Sequence, residues 1–309
     1  MKFIKITIIS FIYLFSAVLF SQISLQEKHD TKSLFDEHIL LQHLKTLSSD
    51  AFEGRRTGTK GALKTEKYII NQFMANHVLP LGKNYKQPFS FTSEGNHYYG
   101  TNLLGLIKGS LYPDKYIVIS AHYDHEGIKN GHIYNGADDN ASGTSALFSF
   151  AEYFKNNPPK HSVILAAFDS EELGLQGSKY YLNHTIIPLK QIMVNLNMDM
   201  ISRSDSQELF AVGTVFNKTL KDVISNHKYS SKIKLLAGHD HGNWKENWTD
   251  ASDHASFHNK GIPFIYFGVE DHKDYHEPTD DYENIQQAFY IEAVKVIMAV
   301  FGKIDVLQL

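Results

Sequence analysis

Five short motifs place histidine and carboxylate side chains where they could bind metal ions. In chain order they are HYDH at 122–125, GADDNASG at 136–143, SEELG at 170–174, NMDM at 197–200 and YHEPTDD at 275–281. Carboxylates that gather in one crevice repel each other, and a bound divalent cation removes that repulsion. A ligand set of imidazoles and carboxylates suits zinc better than magnesium or calcium, which prefer oxygen ligands alone. The motifs therefore indicate zinc chemistry.

Two of these motifs contain paired acids that need a separate explanation. One side chain is enough to cap a helix N-terminus, so the adjacent Asp138 and Asp139 exceed what the following apolar helix requires. The adjacent Glu171 and Glu172 can both be solvent-facing residues favoured by a helix dipole. Beside a metal pair, one of them can instead bind metal while the other carries a proton. With one acid from each pair, the motifs supply five ligands, one too many for a single tetrahedral zinc and enough for two zincs sharing a carboxylate.

The spacing within HYD suggests a partner for the first histidine. Residues i and i+2 of a strand point to the same face. We therefore expect Asp124 to accept a hydrogen bond from the ring nitrogen of His122 that does not bind metal, as carboxylates commonly do beside metal-bound histidines. The alternative is an ordinary loop aspartate beside a surface histidine.

The segments around the motifs predict the elements that bring them together. Short apolar runs typical of buried strands are YYGTNLLGLIKG, KYIVISAHYD, HSVILAAFDS, QIMVNLNMDM, SKIKLLAG and IPFIYFG. Helices are predicted within LFDEHILLQHLKTLSSD and EGRRTGTKGALKTEKYIINQFMANH, and at 142–156, 174–183 and 285–301. The alternation predicts an α/β fold, a three-layer sandwich with a mixed, largely parallel central sheet flanked by helices. Ligand sites of such sheets lie beyond the carboxyl ends of the strands, where HYDH, SEELG and NMDM fall.

The whole chain is ordinary in composition for a globular protein. It has 309 residues, 42% of them hydrophobic, and a formal net charge of −4. Because the charge is mild and no basic run occurs, the sequence argues against a nucleic-acid partner. We expect a linker at 22–34 and then a single catalytic domain over 35–309.

The N-terminal segment has the pattern of a signal peptide. Lys2 and Lys5 precede an apolar stretch from Ile6 to Phe20, and Ser21 is a small residue at a plausible cleavage point. The stretch is short for a membrane span of about 20 residues. We therefore predict a signal peptide at 1–21, a secreted or periplasmic mature protein and no membrane contact after cleavage. The absence of cysteine from the sequence excludes disulfides and favours a bacterial exported protein.

In this order, HYDH, GADDNASG, SEELGLQGS, NMDM and YHEPTDD resemble the motifs of the zinc aminopeptidases of peptidase family M28. The upstream LSSDAFEGRRTGTKGA also resembles that family's N-terminal helix and loop, so the likeness runs from about Leu40 to Gly302. It implies the zinc-exopeptidase fold and hydrolysis of peptides with a free N-terminus by means of two zinc ions per chain. Many exported relatives carry a protease-associated insert before the catalytic sheet. Only a short segment lies there in this chain, so we expect no such insert.

The resemblance also implies a role for each site residue. The metal ligands would be His122, Asp139, Glu172, Asp199 and His276. Asp139, rather than Asp138, would bridge the two zincs. Glu171 becomes the general base, and Asp124 the partner of His122.

The remaining ligands divide between the two zincs, according to the same resemblance. His122 and Asp199 would bind one ion, and Glu172 and His276 the other. The family likeness further predicts a cis peptide bond directly after Asp139.

Two other functions compete with this interpretation. Glutaminyl cyclases are similar to this family in fold and metal residues, and would cyclise an N-terminal glutamine with one zinc. A receptor-like ectodomain that keeps the fold without the chemistry is the non-enzyme alternative. The sequence disfavours it, because every ligand position and the base position carry a suitable residue.

Residues outside the motifs suggest the wall of a substrate pocket. The segment AGHDHGNWKENWTDASDHASF contains three histidines and both tryptophans of the chain. We expect it to form a pocket rim without binding metal. Tyr275 is a candidate donor to a developing oxyanion, and Arg203 a candidate partner for a carboxylate near Asp199.

Overall fold

The computed structural model describes residues 33–226, 229, 231–241 and 244–307. The predicted signal peptide at 1–21 and nearly all of the predicted linker lie outside the described residues. One compact unit spans Phe35–Leu309. Among the helices of the described chain, none is both long enough and apolar enough to cross a membrane.

The described chain forms seven α-helices, which include all five that the sequence predicts. They are α1 (Glu37–Leu47), α2 (Lys60–Ala75), α3 (Gly143–Asn156), α4 (Gln176–His184), α5 (Lys218–Ser225), α6 (His254–His258) and α7 (Gln287–Ile304). Asp36 and Thr59 cap α1 and α2, because their side chains accept hydrogen bonds from N–H groups of the first turn. Helix α1 buries Leu40, Leu44 and Leu47, the spacing of one helical face.

Nine of the eleven strands in the described chain form one sheet. The strands are β1 (Leu79–Pro80), β2 (Lys86–Ser93), β3 (Asn96–Ile107), β4 (Tyr112–His122), β5 (Gly127–Lys129), β6 (His132–Tyr134), β7 (His161–Phe168), β8 (Ile192–Met198), β9 (Glu208–Val212), β10 (Lys234–Ala237) and β11 (Phe264–Gly268). The sheet order is β1-β3-β7-β4-β8-β11-β9-β10, with β2 also beside β3. The four central strands β7, β4, β8 and β11 run parallel. Strands β3 and β9 pair with them antiparallel, so the predicted mixed sheet is confirmed.

Strand β4 shows why the sheet is covered on both faces. Ile117 and Ile119 belong to a core that also contains residues of α1, α2, α3 and α7. Val118, between them, belongs to a second core with residues of α4 and α6. Because both faces of the strand are buried, its sequence is a continuous apolar run. The helices form a layer on each side of the sheet, as the sequence predicts.

Candidate metal centre

The five predicted ligands meet at the carboxyl end of the four central parallel strands. His122 is the last residue of β4, Asp199 directly follows β8, and Glu172 lies in the turn after β7. Asp139 lies just before α3, and His276 in the loop after β11. All five line one pocket of about 290 Å³.

Asp139 lies at the centre of the cluster and divides it in two. Its Oδ1 is 3.3 Å from Nε2 of His122, and its Oδ2 is 3.2 Å from Nε2 of His276. Nε2 of His122 is also 3.2 Å from Oδ1 of Asp199, and Nε2 of His276 is 3.3 Å from Oε2 of Glu172. One carboxylate thus faces two separate groups of ligand atoms, which is the arrangement that a bridging ligand requires.

The pKa values around the outer ligand group reflect strong mutual attraction. Burial disfavours a charged His276, but the hydrogen bonds with Asp139 and Glu172 outweigh burial and raise the pKa of His276 to about 11. Burial and the negative charge of Asp139 act to raise the pKa of Glu172. The hydrogen bonds from His125 and His276 prevail, and this pKa falls to about 2.

The inner group shows the same pattern. Burial opposes a charged His122, yet the carboxylates of Asp199 and Glu171 outweigh it and hold the pKa of His122 well above its ordinary value. Burial likewise opposes an ionised Asp139. The positive charge of His125 and the hydrogen bond from His122 nevertheless keep the pKa of Asp139 well below its usual range.

This donor set fits zinc. It offers two imidazole nitrogens and three carboxylates, the ligand types that zinc takes in hydrolytic sites. The raised pKa values of His122 and His276 favour their protonated forms beside these carboxylates. A divalent cation would release these protons, because zinc binds neutral imidazole and ionised carboxylate.

Asp124 does not contact His122 in the way the strand spacing suggests. Nδ1 of His122 lies 3.1 Å from the backbone carbonyl oxygen of Asp124 and 3.7 Å from its carboxylate. The carboxylate instead accepts hydrogen bonds from the backbone N–H groups of Glu171 and Glu172, at 3.0 and 3.3 Å. At 3.7 Å the carboxylate of Asp124 is within ion-pair distance of the His122 ring but beyond hydrogen-bond distance. Asp124 holds both the histidine, through its carbonyl, and the turn that carries the two glutamates.

The two adjacent glutamates have different surroundings. Oε1 of Glu172 is 2.7 Å from Nδ1 of His125, while its Oε2 faces His276. Within the described chain, no hydrogen bond or ion pair engages the carboxylate of Glu171, although the residue lines the pocket. Burial and the negative charges of Asp199 and Glu172 raise the pKa of Glu171 well above its ordinary value. One glutamate is therefore held by imidazoles, and the other is free to exchange a proton.

His125 is a site residue that the sequence analysis missed. It is fully buried, and besides Glu172 it approaches Oδ2 of Asp139 at 3.6 Å. Gly136 makes room for its ring: a Cβ at this position would lie 2.5 Å from a ring carbon of His125, and the φ angle of +54° also favours glycine. The sequence signal that could have identified it is its place as the second histidine of HYDH.

The loop before α3 accounts for the remaining polar residues of GADDNASG. Asp138 accepts hydrogen bonds from the N–H and hydroxyl of Ser202 and pairs with His272, so its carboxylate is engaged outside the ligand cluster. The side-chain oxygen of Asn140 accepts a hydrogen bond from the N–H of Gly143 at the start of α3. The peptide bond between Asp139 and Asn140 is cis, which confirms the prediction.

Several residues next to the site adopt the left-handed backbone conformation, which is uncommon for residues other than glycine. They are Ser170, Leu175, Met200 and His276, with φ between 55° and 62°. Such residues persist where the surrounding structure enforces them, and they cluster at functional sites. Ser170 and Met200 turn the chain just after β7 and β8, while Leu175 directly precedes α4 and His276 lies in the loop after β11.

The pocket lining also includes apolar and aromatic side chains. It contains Met200, Trp248, Tyr266 and Val269. Trp248 is stacked on the ring of His239 at 3.6 Å between ring centroids, and His239 pairs with Glu270. The predicted rim segment therefore contributes Trp248 to the pocket directly and His239 as its support.

Tyr275 and Arg203 both make contacts within the loop that carries His276. Tyr275 lines the pocket and stacks on the ring of His276. Burial and the negative charges of Asp139 and Asp199 raise the pKa of Tyr275, so its hydroxyl stays protonated. Arg203 forms an ion pair with Asp274, in the loop that carries His276.

Comparison with known sequences identifies relatives over much of the chain. The model of peptidase family M28 matches residues 102–301. Aminopeptidase YwaD of Bacillus subtilis (strain 168) is 31% identical over 209 residues, which cover 64% of this chain and 43% of that protein. The probable glutamate carboxypeptidase VP8 of Zea mays is 28% identical over 214 residues, which cover 63% of this chain and 28% of that protein. The match thus spans less than half the length of either relative.

Solved structures share the fold over nearly the whole chain. A zinc aminopeptidase from Bacillus subtilis, BSAP, superposes with a TM-score of 0.69 at 18% identity, covering 88% of this chain and 96% of that one. A glutaminyl cyclase from Porphyromonas gingivalis also gives 0.69 at 15% identity, covering 88% of this chain and 99% of that one. At these identities the likeness establishes the architecture, and the two neighbours differ in their chemistry.

Proposed function

Because the chain belongs to peptidase family M28, whose model matches residues 102–301, we propose that it is an exported aminopeptidase with two zinc ions in its active site. The observation that carries the proposal is the position of Asp139. Its two oxygens face different groups of ligand atoms, at 3.3 Å from His122 and 3.2 Å from His276. The signal-peptide pattern of the first 21 residues supports export.

The residues that would hold zinc follow from these contacts. His122, Asp139 and Asp199 would form one position, and Asp139, Glu172 and His276 the other. Zinc in these positions would supply Lewis-acid chemistry, which polarises a carbonyl oxygen and makes water more acidic.

Glu171 is the residue that moves the proton. It accepts a proton from the attacking water and returns it to the amine that leaves when the peptide bond breaks. Two features support this role: Glu171 lines the pocket, and its carboxylate is not engaged by other described residues. Glu172 is unsuited to the role, because His125 and His276 already occupy its two oxygens.

The substrate is oriented by the pocket's polar and apolar residues. A free α-ammonium group is attracted to the carboxylates gathered at the metal centre. The hydroxyl of Tyr275 can donate to the negative charge that develops on the scissile carbonyl oxygen. The pocket-lining side chains of Trp248, Tyr266 and Met200 suit an apolar side chain at the substrate N-terminus.

Cyclisation of N-terminal glutamine is the competing function, and the equally good superposition on a glutaminyl cyclase favours its consideration. It would require one zinc and would leave the peptide chain intact. The two-sided environment of Asp139 favours hydrolysis, because a single metal needs no bridging carboxylate.

Product analysis separates the two reactions. Three peptides that differ only at the N-terminus are incubated with the zinc-loaded protein: one begins with leucine, one with glutamine and one with N-acetylated leucine. We expect free leucine from the first and no product from the acetylated control. Loss of ammonia from the glutamine peptide, without release of any amino acid from the others, would instead establish the cyclase.

A further inference from the structure

Arg55 has a buried guanidinium whose contacts are unusual for a charged group. The residue is 1% exposed and adopts a φ of +54° after a loop with two other left-handed residues. In the described chain its hydrogen bonds go to backbone carbonyl oxygens, at 2.5 to 3.5 Å: those of Leu47, Tyr123, Asn135, Gly136 and Asp139. Three of these carbonyls belong to the loop that ends at the proposed bridging ligand.

Asp280 holds the same loop by its N–H groups. Its carboxylate accepts hydrogen bonds from the N–H groups of Asp138 and Asp139, each at 3.0 Å. Its backbone carbonyl accepts a third, from Ala137 at 2.9 Å. Asp280 is 2% exposed, so these bonds are shielded from water.

Arg55 and Asp280 therefore hold loop 135–139 through different backbone groups, Arg55 through carbonyl groups and Asp280 through N–H groups. Buried peptide groups must find hydrogen-bond partners, and this irregular loop receives them from a guanidinium at its carbonyls and a carboxyl group at its N–H groups. Hydrogen bonds that involve a charged group are shorter and about twice as strong as neutral ones. The hydrogen bonds of Arg55 and Asp280 fix the backbone at Asp139 more firmly than bonds to neutral partners would.

Each residue also connects the loop to another proposed ligand. Arg55 donates to the carbonyl of Tyr123, which directly follows His122 at the end of β4. Asp280 lies four residues after His276 and within the same loop. Arg55 thus ties Asp139 to the inner ligand group, and Asp280 ties it to the outer group.

We propose that Arg55 and Asp280 are positioning residues that hold Asp139 between His122 and His276, and so set the zinc affinity of the centre. This inference rests on the proposed zinc function but names residues that do not touch the metal. Residues that orient metal ligands typically contribute about 10- to 100-fold to metal affinity. A ligand displaced by a fraction of an ångström is enough to lose that contribution.

The test compares two mild variants with a matched control. Arg55→Lys keeps the charge but loses the planar fork of donors, and Asp280→Asn keeps the shape but loses the charge. Asp305→Asn is the control, because Asp305 is also buried and accepts hydrogen bonds from two backbone N–H groups, those of Lys160 and His161, at the opposite end of β7. Zinc dissociation constants are measured by competition with a chromogenic chelator, and metal-free unfolding midpoints are measured in parallel.

We expect both site variants to bind zinc about 10- to 100-fold more weakly, and the control to keep the wild-type constants even where its unfolding midpoint falls. If Asp280→Asn and Arg55→Lys lower only the unfolding midpoint and keep the wild-type zinc dissociation constants, both residues are merely structural and the inference is wrong. Either variant alone decides the outcome if the other does not fold. A wild-type chain that holds one zinc would refute the two-metal function. The ratio of variant to wild-type zinc affinity would still test whether Arg55 and Asp280 position Asp139.

Discussion

Replacing Glu171 by glutamine removes the proposed proton carrier while leaving the metal ligands in place. Glutamine has nearly the same shape, and the backbone N–H of residue 171 can still donate to Asp124. Within the described chain the Glu171 carboxylate makes no hydrogen bond or ion pair, so its loss breaks no folded-state contact. We therefore expect unchanged zinc content and an unfolding midpoint no lower than that of the wild type, since the amide replaces a buried acid whose raised pKa costs stability when it is ionised.

The activity of Glu171→Gln should nevertheless collapse, because an amide cannot accept the proton of the attacking water. General acid–base groups contribute about 10²- to 10⁴-fold to rate, or about 3–5 kcal/mol. The loss should appear in kcat, with KM little changed, since the glutamate is proposed to act on the proton and not on substrate binding. Release of free leucine from leucine amide measures the rate, and elemental analysis measures the zinc.

Two results would refute this reasoning. Turnover near the wild-type value with full zinc content would show that Glu171 is not the base. Loss of zinc from Glu171→Gln, with retention in Glu172→Gln, would exchange the roles of the two glutamates.

Three further predictions concern the metal ligands. Glu172→Gln should lose zinc, because it replaces an anionic ligand by a neutral amide, and an equilibrium-dialysis experiment that shows full zinc content would contradict this. Asp139→Ala should lower occupancy at both zinc positions and His276→Ala at one only, so equal losses measured by elemental analysis would argue against a bridging role for Asp139. Zinc binding should release protons and strengthen as pH rises, because the pKa of His276 is raised from 6.5 to about 11 in the metal-free chain. The same shift means that the contribution of His276 to metal-free stability is fully present below pH 6.5 and is lost as pH rises towards 11. Proton release can be followed with a pH indicator in weak buffer. If zinc addition released no protons, the prediction of pH-dependent zinc binding would be wrong.

The order of elements and the ligand cluster could be predicted because they depend on local signals. Buried strands such as β4 and β7 are continuous apolar runs, and the helices have apolar spacing and capping residues that the sequence displays. Carboxyl ends of parallel strands meet at one edge of a sheet, so motifs that follow β4, β7 and β8 were expected to converge. Strand β9, at Glu208–Val212, escaped prediction because five residues carry too little pattern to separate a strand from other apolar segments.

The supporting residues could not be predicted, because their roles depend on contacts between distant parts of the chain. Arg55 and Asp139 are 84 residues apart, and Asp280 and Asp139 are 141 apart. An arginine in a glycine-punctuated loop gives no sign that it will be buried against carbonyl oxygens. Asp124 shows a different limit: the spacing predicts that its carboxylate lies near His122, but not that it accepts hydrogen bonds from the N–H groups of Glu171 and Glu172.

The most direct test of the two-zinc centre is a crystal structure of the zinc-loaded protein with diffraction data collected at the zinc absorption edge. We expect two anomalous peaks about 3.5–4 Å apart, with Asp139 between them. His122 and Asp199 should border one peak, and Glu172 and His276 the other. A single peak at full occupancy under zinc excess, with Asp139 bound through one oxygen only, would contradict a two-zinc centre.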